Sequence, residues 1–195
     1  MDIKPTDKKD KLIIFFDEIK SGSVESAVKD LCKINIEDRE YERKNREWAE
    51  KNGLTIESVR LDPIQFHFST CGGSCYDGLS LYDAIESSPT PVEITCYGRI
   101  MSMGIVVLLA SNVRRAHKNT TFLIHQAMGL ALGSLSEMKA SVEEVSRVNA
   151  ILFNIITTKT KVTQERLNEV LEYKQNWILT AQEALELGII TEIIQ

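Results

Sequence analysis

The sequence predicts an α/β fold built around a parallel sheet. Short β-favouring runs alternate along the chain with segments of helical periodicity, the pattern of parallel strands joined by right-handed crossovers. The chain is also the right size for one such domain. It has 195 residues, 43% of them hydrophobic and 26% charged, enough for a single sizeable core. No long internal repeat interrupts the alternation.

The elements follow in order. Residues 1–11 are polar and lysine-rich and read as a flexible N-terminal segment, with the folded domain expected over 12–195. Lys11 to Phe16 is a short apolar run and reads as a buried strand. Ser23 is a fair N-cap for a helix through Lys33, with Val24, Ala27, Val28 and Leu31 on one face. Residues 36–53 are strongly charged and read as an inserted, solvated helix ended by Gly53, with Trp48 as its apolar anchor. A sharper alternative makes this insertion a contact to a neighbouring subunit through Tyr41 and Trp48. Ile64 to Phe68 alternates as a strand and enters the tight loop Ser69-Thr-Cys-Gly-Gly-Ser74. Tyr76 to Glu86 is helical, closed by Pro89 and Pro91, and Val92 to Tyr97 is a strand. A serine turn, Met101-Ser-Met-Gly104, opens a short apolar helix, and Phe122 to Gln126 is strand-like with a histidine at its end. Two amphipathic helices follow, Leu135 to Thr158 and Thr163 to Tyr173. Thr180 caps a last helix that Gly188 stops, before a final apolar strand.

Charge and composition remove several functional classes. A net charge of -5 and a pI near 5.3 leave no footprint for nucleic acid and disfavour a membrane surface. The apolar run Gly104 to Ala110 is far too short to span a bilayer, and the N-terminus lacks a secretory core, so a cytoplasmic protein is expected. Cys32 and Cys96 sit in apolar contexts and read as buried, inert thiols. Cys71 and Cys75 form a C-x3-C pair, but no second Cys or His pair has zinc spacing. Structural packing is therefore expected there, with no metal and no cofactor.

The chemistry converges on residues 98–129. Ser102, at a helix start, lies beside free backbone N–H groups where the helix dipole favours negative charge. His125, at a strand end, is placed to act as its general base. Gly72 and Gly73 let backbone N–H groups approach a ligand closely, and the Met103 N–H follows the serine directly. Two such donors from different loops are what an oxyanion hole requires. Taken singly, each feature has an ordinary explanation: a Gly-Gly turn, a helix cap, a core histidine.

Five ordered words make the combination specific. Ser69-Thr-Cys-Gly-Gly-Ser74, Gly78-Leu-Ser-Leu-Tyr-Asp83, Met101-Ser-Met-Gly104, Leu123-Ile-His-Gln126 and the ending LTAQEALELGIITEII resemble the ClpP family, the proteolytic subunits of the Clp protease. The resemblance covers about residues 12–194, with 36–53 as an enlarged connection. It implies a ClpP/crotonase-like fold of repeated ββα units with a C-terminal handle helix, for which Leu135 to Thr158 is in place. It implies a serine endopeptidase with Ser102 as nucleophile, His125 as base and an oxyanion hole from Gly72 or Gly73 with Met103. It further implies a homo-oligomer of heptameric rings, paired by the handle into a tetradecamer, that hydrolyses polypeptides inside a chamber. An AAA+ unfoldase usually feeds such a chamber, and the eleven polar N-terminal residues match the family's axial-loop segment poorly.

Other departures matter for catalysis. The family's third catalytic residue is an aspartate where this chain has Asn176, and Glu172, one turn earlier, is either a substitute charge or a solvated helix carboxylate. An amide orients an imidazole but does not stabilise its charge; Asp to Asn in a chymotrypsin-type triad costs about 10⁴ in kcat. Cys71 and Ala127 stand where the family carries prolines. These departures look like those of a phage or prophage-type member. They set up a second expectation, a catalytically weak or silent ring subunit with a scaffold role. A third is a crotonase-type acyl-CoA enzyme, which shares the fold and oxyanion hole but needs no Ser–His pair.

Overall fold

The computed structural model describes residues 11–55, 59, 61–173 and 175–195. The N-terminal segment expected at 1–11 therefore lies outside the described residues, apart from Lys11. Seven strands form one sheet: β1 (Leu12–Phe16), β2 (Ile64–Thr70), β3 (Val92–Met101), β4 (Val113–His117), β5 (Thr121–Ile124), β6 (Trp177–Leu179) and β7 (Glu192–Ile194). Six helices accompany them: α1 (Ser21–Lys51), α2 (Cys75–Glu86), α3 (Met103–Leu108), α4 (Leu135–Lys159), α5 (Gln164–Glu172) and α6 (Ala181–Glu186). The sheet runs β1-β2-β3-β4-β7 in parallel, as the alternation of strands and helices predicts.

β3 is the branch point of this sheet. Its first half, Glu93 to Cys96, pairs with β4, and its last three residues, Arg99 to Met101, pair with β5. Between the halves Gly98 takes φ +60, a conformation that glycine adopts at little steric cost, and the strand turns there. β5 in turn carries β6 antiparallel. Neither β4 nor β6 is apparent in the sequence. β4 reads VRRAH, and β6 has three residues, so neither shows an apolar period.

Several expectations are corrected. β1 is an edge strand with one buried face: Ile13 and Phe15 enter the core while Leu12, Ile14 and Phe16 face outward, so it is not buried on both sides. The first helix does not end at Lys33. It continues to Lys51 as one element of 31 residues, about 46 Å long at 1.5 Å per residue, so residues 36–51 are its second half. Lys20 holds the N-cap position, and Ser23 sits at the third helical position, accepting the Lys20 N–H at 3.2 Å. Trp48 is not the anchor of the charged half, being 45% exposed; its neighbour Ala49 is buried. Cys32 lies on the exposed face of α1, and Cys71 is exposed too, so neither packs inside; Cys75 is half-buried and Cys96 is buried.

The reason α1 persists is a buried stripe that changes character. Val24, Ala27 and Leu31 are followed on the same face by Asn35, Asp38, Asn45 and Ala49. The polar members are satisfied. Thr90 Oγ1 donates to Asp38 at 2.5 Å, Lys11 Nζ reaches the same carboxylate at 2.7 Å, and Ser88 Oγ donates to Asn35 at 3.1 Å. Asp38 thus ties the helix to the entries of β1 and β3. Removing one partner of such a buried, charge-assisted set leaves the other uncompensated. Asp38→Ala is expected to cost about 2–3 kcal/mol by chemical denaturation, whereas a merely solvated insertion would lose next to nothing.

Candidate active site

Ser102 stands at the junction of β3 and α3 with φ 54 and ψ -123. It is the one non-glycine with positive φ among the described residues. A serine in this conformation sits on a sharp strand-to-helix turn, with its hydroxyl exposed above the sheet. Its N–H donates to Leu123 O of β5 at 2.8 Å, and its hydroxyl makes no cap bond to α3. The free hydroxyl meets His125 Nε2 at 2.6 Å. His125 follows directly on β5, so both partners hang from neighbouring strands whose register, Met101 opposite Leu123, fixes their separation.

Burial sets the electrostatics of the pair. Desolvation lowers the His125 pKa from its ordinary value of 6.5, because the imidazolium is poorly solvated in the cleft. The neutral ring that a general base needs is thereby favoured at pH 7.

The glycine loop closes on the serine from the other side. A Cβ at Gly72 would come within 2.7 Å of Ser102 Cβ and 2.8 Å of Met101 O, so no larger residue fits. Gly72 takes φ +93 and Gly73 φ +144, the region that side chains rarely enter. The Gly72 N–H is already used: it donates to Thr70 Oγ1 at 3.1 Å. The Gly73 N–H has no acceptor among the described residues. Met103 opens α3, where the first backbone N–H groups lack intrahelical partners. Gly73 and Met103, rather than Gly72, therefore carry the unspent donors of the two loops.

The β5–β6 ladder ends at the pair Ile124 and Trp177, so His125 and Asn176 each lie one residue beyond its last pair. No hydrogen bond joins them, and His125 Nδ1 has no partner among the described residues. Arg166 of α5 lies over the Trp177 ring at 4.6 Å and holds this edge in place. Glu172, the last residue of α5, is exposed and makes no bond to His125. The structure thus brings Ser102, His125 and the glycine loop together and leaves Asn176 exposed, one residue beyond β6 and with no hydrogen bond to His125.

A cleft of about 270 Å³ lies over this pair. Val106, Leu152, Phe153 and Ile156 contribute apolar lining, and Cys71 and Gly73 line the cleft as well. Among the described residues no group of three His, Cys, Asp or Glu side chains could hold a metal. Two residues absent from the sequence reading shape the site. Thr70 takes the Gly72 N–H, as above. Asn149, buried on α4, accepts the Ala127 N–H at 3.0 Å. A proline at 127 would have no such donor, so this tether exists because the chain carries alanine there. The signal was available: Asn149 interrupts an apolar stripe with Phe153 and Ile156 four and seven residues on.

Comparison with known proteins identifies the family. The family model described as Clp protease matches residues 45–195. The ATP-dependent Clp protease proteolytic subunit of Dehalococcoides mccartyi is 36% identical over 141 residues, 70% of each chain. That of Deinococcus radiodurans is 30% identical over 151 residues, 73% of each chain. Among solved structures, an Asn-to-Asp mutant of ClpP1 from Listeria monocytogenes superposes with a TM-score of 0.75, covering 95% of this chain and 92% of that one. At 22% identity this likeness establishes a shared fold. The chain belongs to the Clp protease family, whose proteolytic subunits are serine peptidases.

Proposed function

We propose that this chain is a serine endopeptidase in which Ser102 Oγ attacks the scissile carbonyl and His125 Nε2 takes its proton. The single observation that carries the reading is the 2.6 Å contact between these two atoms at a strained strand-to-helix turn. Gly73 and Met103 N–H groups bind the oxyanion of the tetrahedral intermediate, since both donors are unspent. The protonated His125 then delivers its proton to the leaving amine, and water repeats the cycle on the acyl-enzyme. Asn176 orients the ring through Nδ1 once substrate closes the cleft, and it supplies no charge. A weakly active ring subunit is the second reading, and the neutral amide at 176 favours it.

Assembly belongs to the same proposal. Met128, Leu130, Leu132 and Leu135 are each at least 70% exposed, a contiguous apolar strip that a lone chain would leave in water. α4 follows this strip, in the place of the handle that pairs rings. A polypeptide substrate and a cytoplasmic location complete the reading. No helix among the described residues is long and apolar enough to cross a membrane.

A fluorophosphonate probe is expected to label the protein on one serine, and Ser102→Ala to abolish the label; labelling of any other residue would overturn the assignment. Peptidase activity should rise with pH through an apparent pKa below 6.5, because protonation disables the base. Asn176→Asp is expected to raise kcat about tenfold or more, within the roughly 10⁴ that the reverse change costs in a chymotrypsin-type triad. It should also move the acid limb upward, since a carboxylate beside the imidazole favours its charged form. Light scattering should return an oligomer many times the 22.0 kDa chain mass; a monomer at micromolar concentration would remove the chamber.

A further inference from the structure

The cleft over Ser102 holds one acidic side chain, Glu18, and nothing in the proposed chemistry uses it. Glu18 precedes Ile19, and Ile19 is bound to the glycine loop on both sides. Its N–H donates to Gly72 O and its carbonyl accepts the Ser74 N–H, each at 2.8 Å. A Cβ on Gly73 would lie 2.2 Å from Ile19 O, so the two backbones are in contact. The backbone of Glu18 is fixed as well. Its N–H donates to Asp17 Oδ1 at 2.7 Å, and its carbonyl accepts the Ser23 hydroxyl at 2.6 Å. Glu18 therefore rides on the same rigid unit as the Gly73 donor.

Its carboxylate, by contrast, makes no hydrogen bond or ion pair among the described residues. The nearby cation is already engaged, with Lys20 Nζ on Asp17 at 3.1 Å. Leu152, Phe153 and Ile156 give the cleft an apolar part of its lining. An exposed carboxylate with no partner among the described residues, carried on a fixed backbone at the edge of the peptide cleft, complements one class of side chain, a cation. We propose that Glu18 is a specificity-determining residue that recruits a lysine or arginine of the substrate polypeptide beside the scissile bond. This rests on the reading of the Ser102 cleft as the peptide site.

The test separates the two. Peptide binding is measured by fluorescence anisotropy on Ser102→Ala protein at pH 8, where His125 is neutral and turnover is not needed. The probes are labelled decapeptides identical except for lysine or norleucine placed in turn at each position around the central bond. At one or two positions lysine is expected to bind about threefold or more tighter, the scale of a partly exposed ion pair. Glu18→Gln should bring that ratio to one, Glu18→Lys should reverse it toward glutamate-bearing peptides, and 1 M salt, with a Debye length of about 3 Å, should shrink it. Equal affinities throughout, a lysine preference that survives Glu18→Gln, or no binding of any peptide would each overturn the proposal. Failure of the fluorophosphonate to label wild type would instead strike the nucleophile and leave this binding result standing.

Discussion

Ser102 holds a backbone conformation that L-residues avoid, and the surrounding structure over-determines it. A non-glycine at φ 54 costs on the order of 1–3 kcal/mol and persists only where neighbours allow nothing else. Here three neighbours do so. Leu123 O takes the serine N–H, Gly72 packs its bare Cα against Ser102 Cβ, and Gly104 lets α3 start where a Cβ would meet Thr70 Cγ2 at 2.4 Å. The sheet's branching at β3 serves the same end, since only a strand shared between β4 and β5 delivers Ser102 and His125 side by side.

Much of this was legible in residues 98–129, where a small-residue turn, an apolar helix and a strand ending in histidine follow in order. Helix boundaries at α2, α4, α5 and α6 were legible as well, because their caps are local signals: Ser134 and Thr180 both form capping boxes, with Glu137 and Glu183. What escaped notice has a common physical cause. The second half of α1 buries Asn35, Asp38 and Asn45, whose burial depends on partners such as Thr90, 52 residues away from Asp38. β4 hides one of its two arginines inside. Arg114 is buried with its guanidinium on the carbonyls of Ser111, Gly188 and Ile189, and no apolar count reveals that. Buried polar groups satisfied at long range leave no periodic trace in a sequence.

The same limit applies inside the site. Gly72 and Gly73 look interchangeable as oxyanion donors until Thr70 Oγ1 is seen to accept one of their N–H groups. Asn176 is visible as a departure from an aspartate, and that it lies, like His125, one residue beyond the β5–β6 ladder follows only from the antiparallel register. The depressed His125 pKa arises from desolvation alone, with no carboxylate opposing it. Burial and an anion push an imidazole in opposite directions, so the missing charge and the neutral base are two faces of one environment.

The Ala127–Asn149 bond gives the cleft a mechanical property. It clips the loop two residues after the histidine to the middle of a 25-residue helix whose N-terminal turns lie outside the core. Five residues earlier on the same helix, Glu144 accepts from Tyr76 of α2 and is gripped by two nitrogens of Arg147. α4 is therefore a beam, clamped at two points around the imidazole and cantilevered beyond them. A load applied to its free end is carried to the proton acceptor through one hydrogen bond, which the proline of related chains would lack a donor to form.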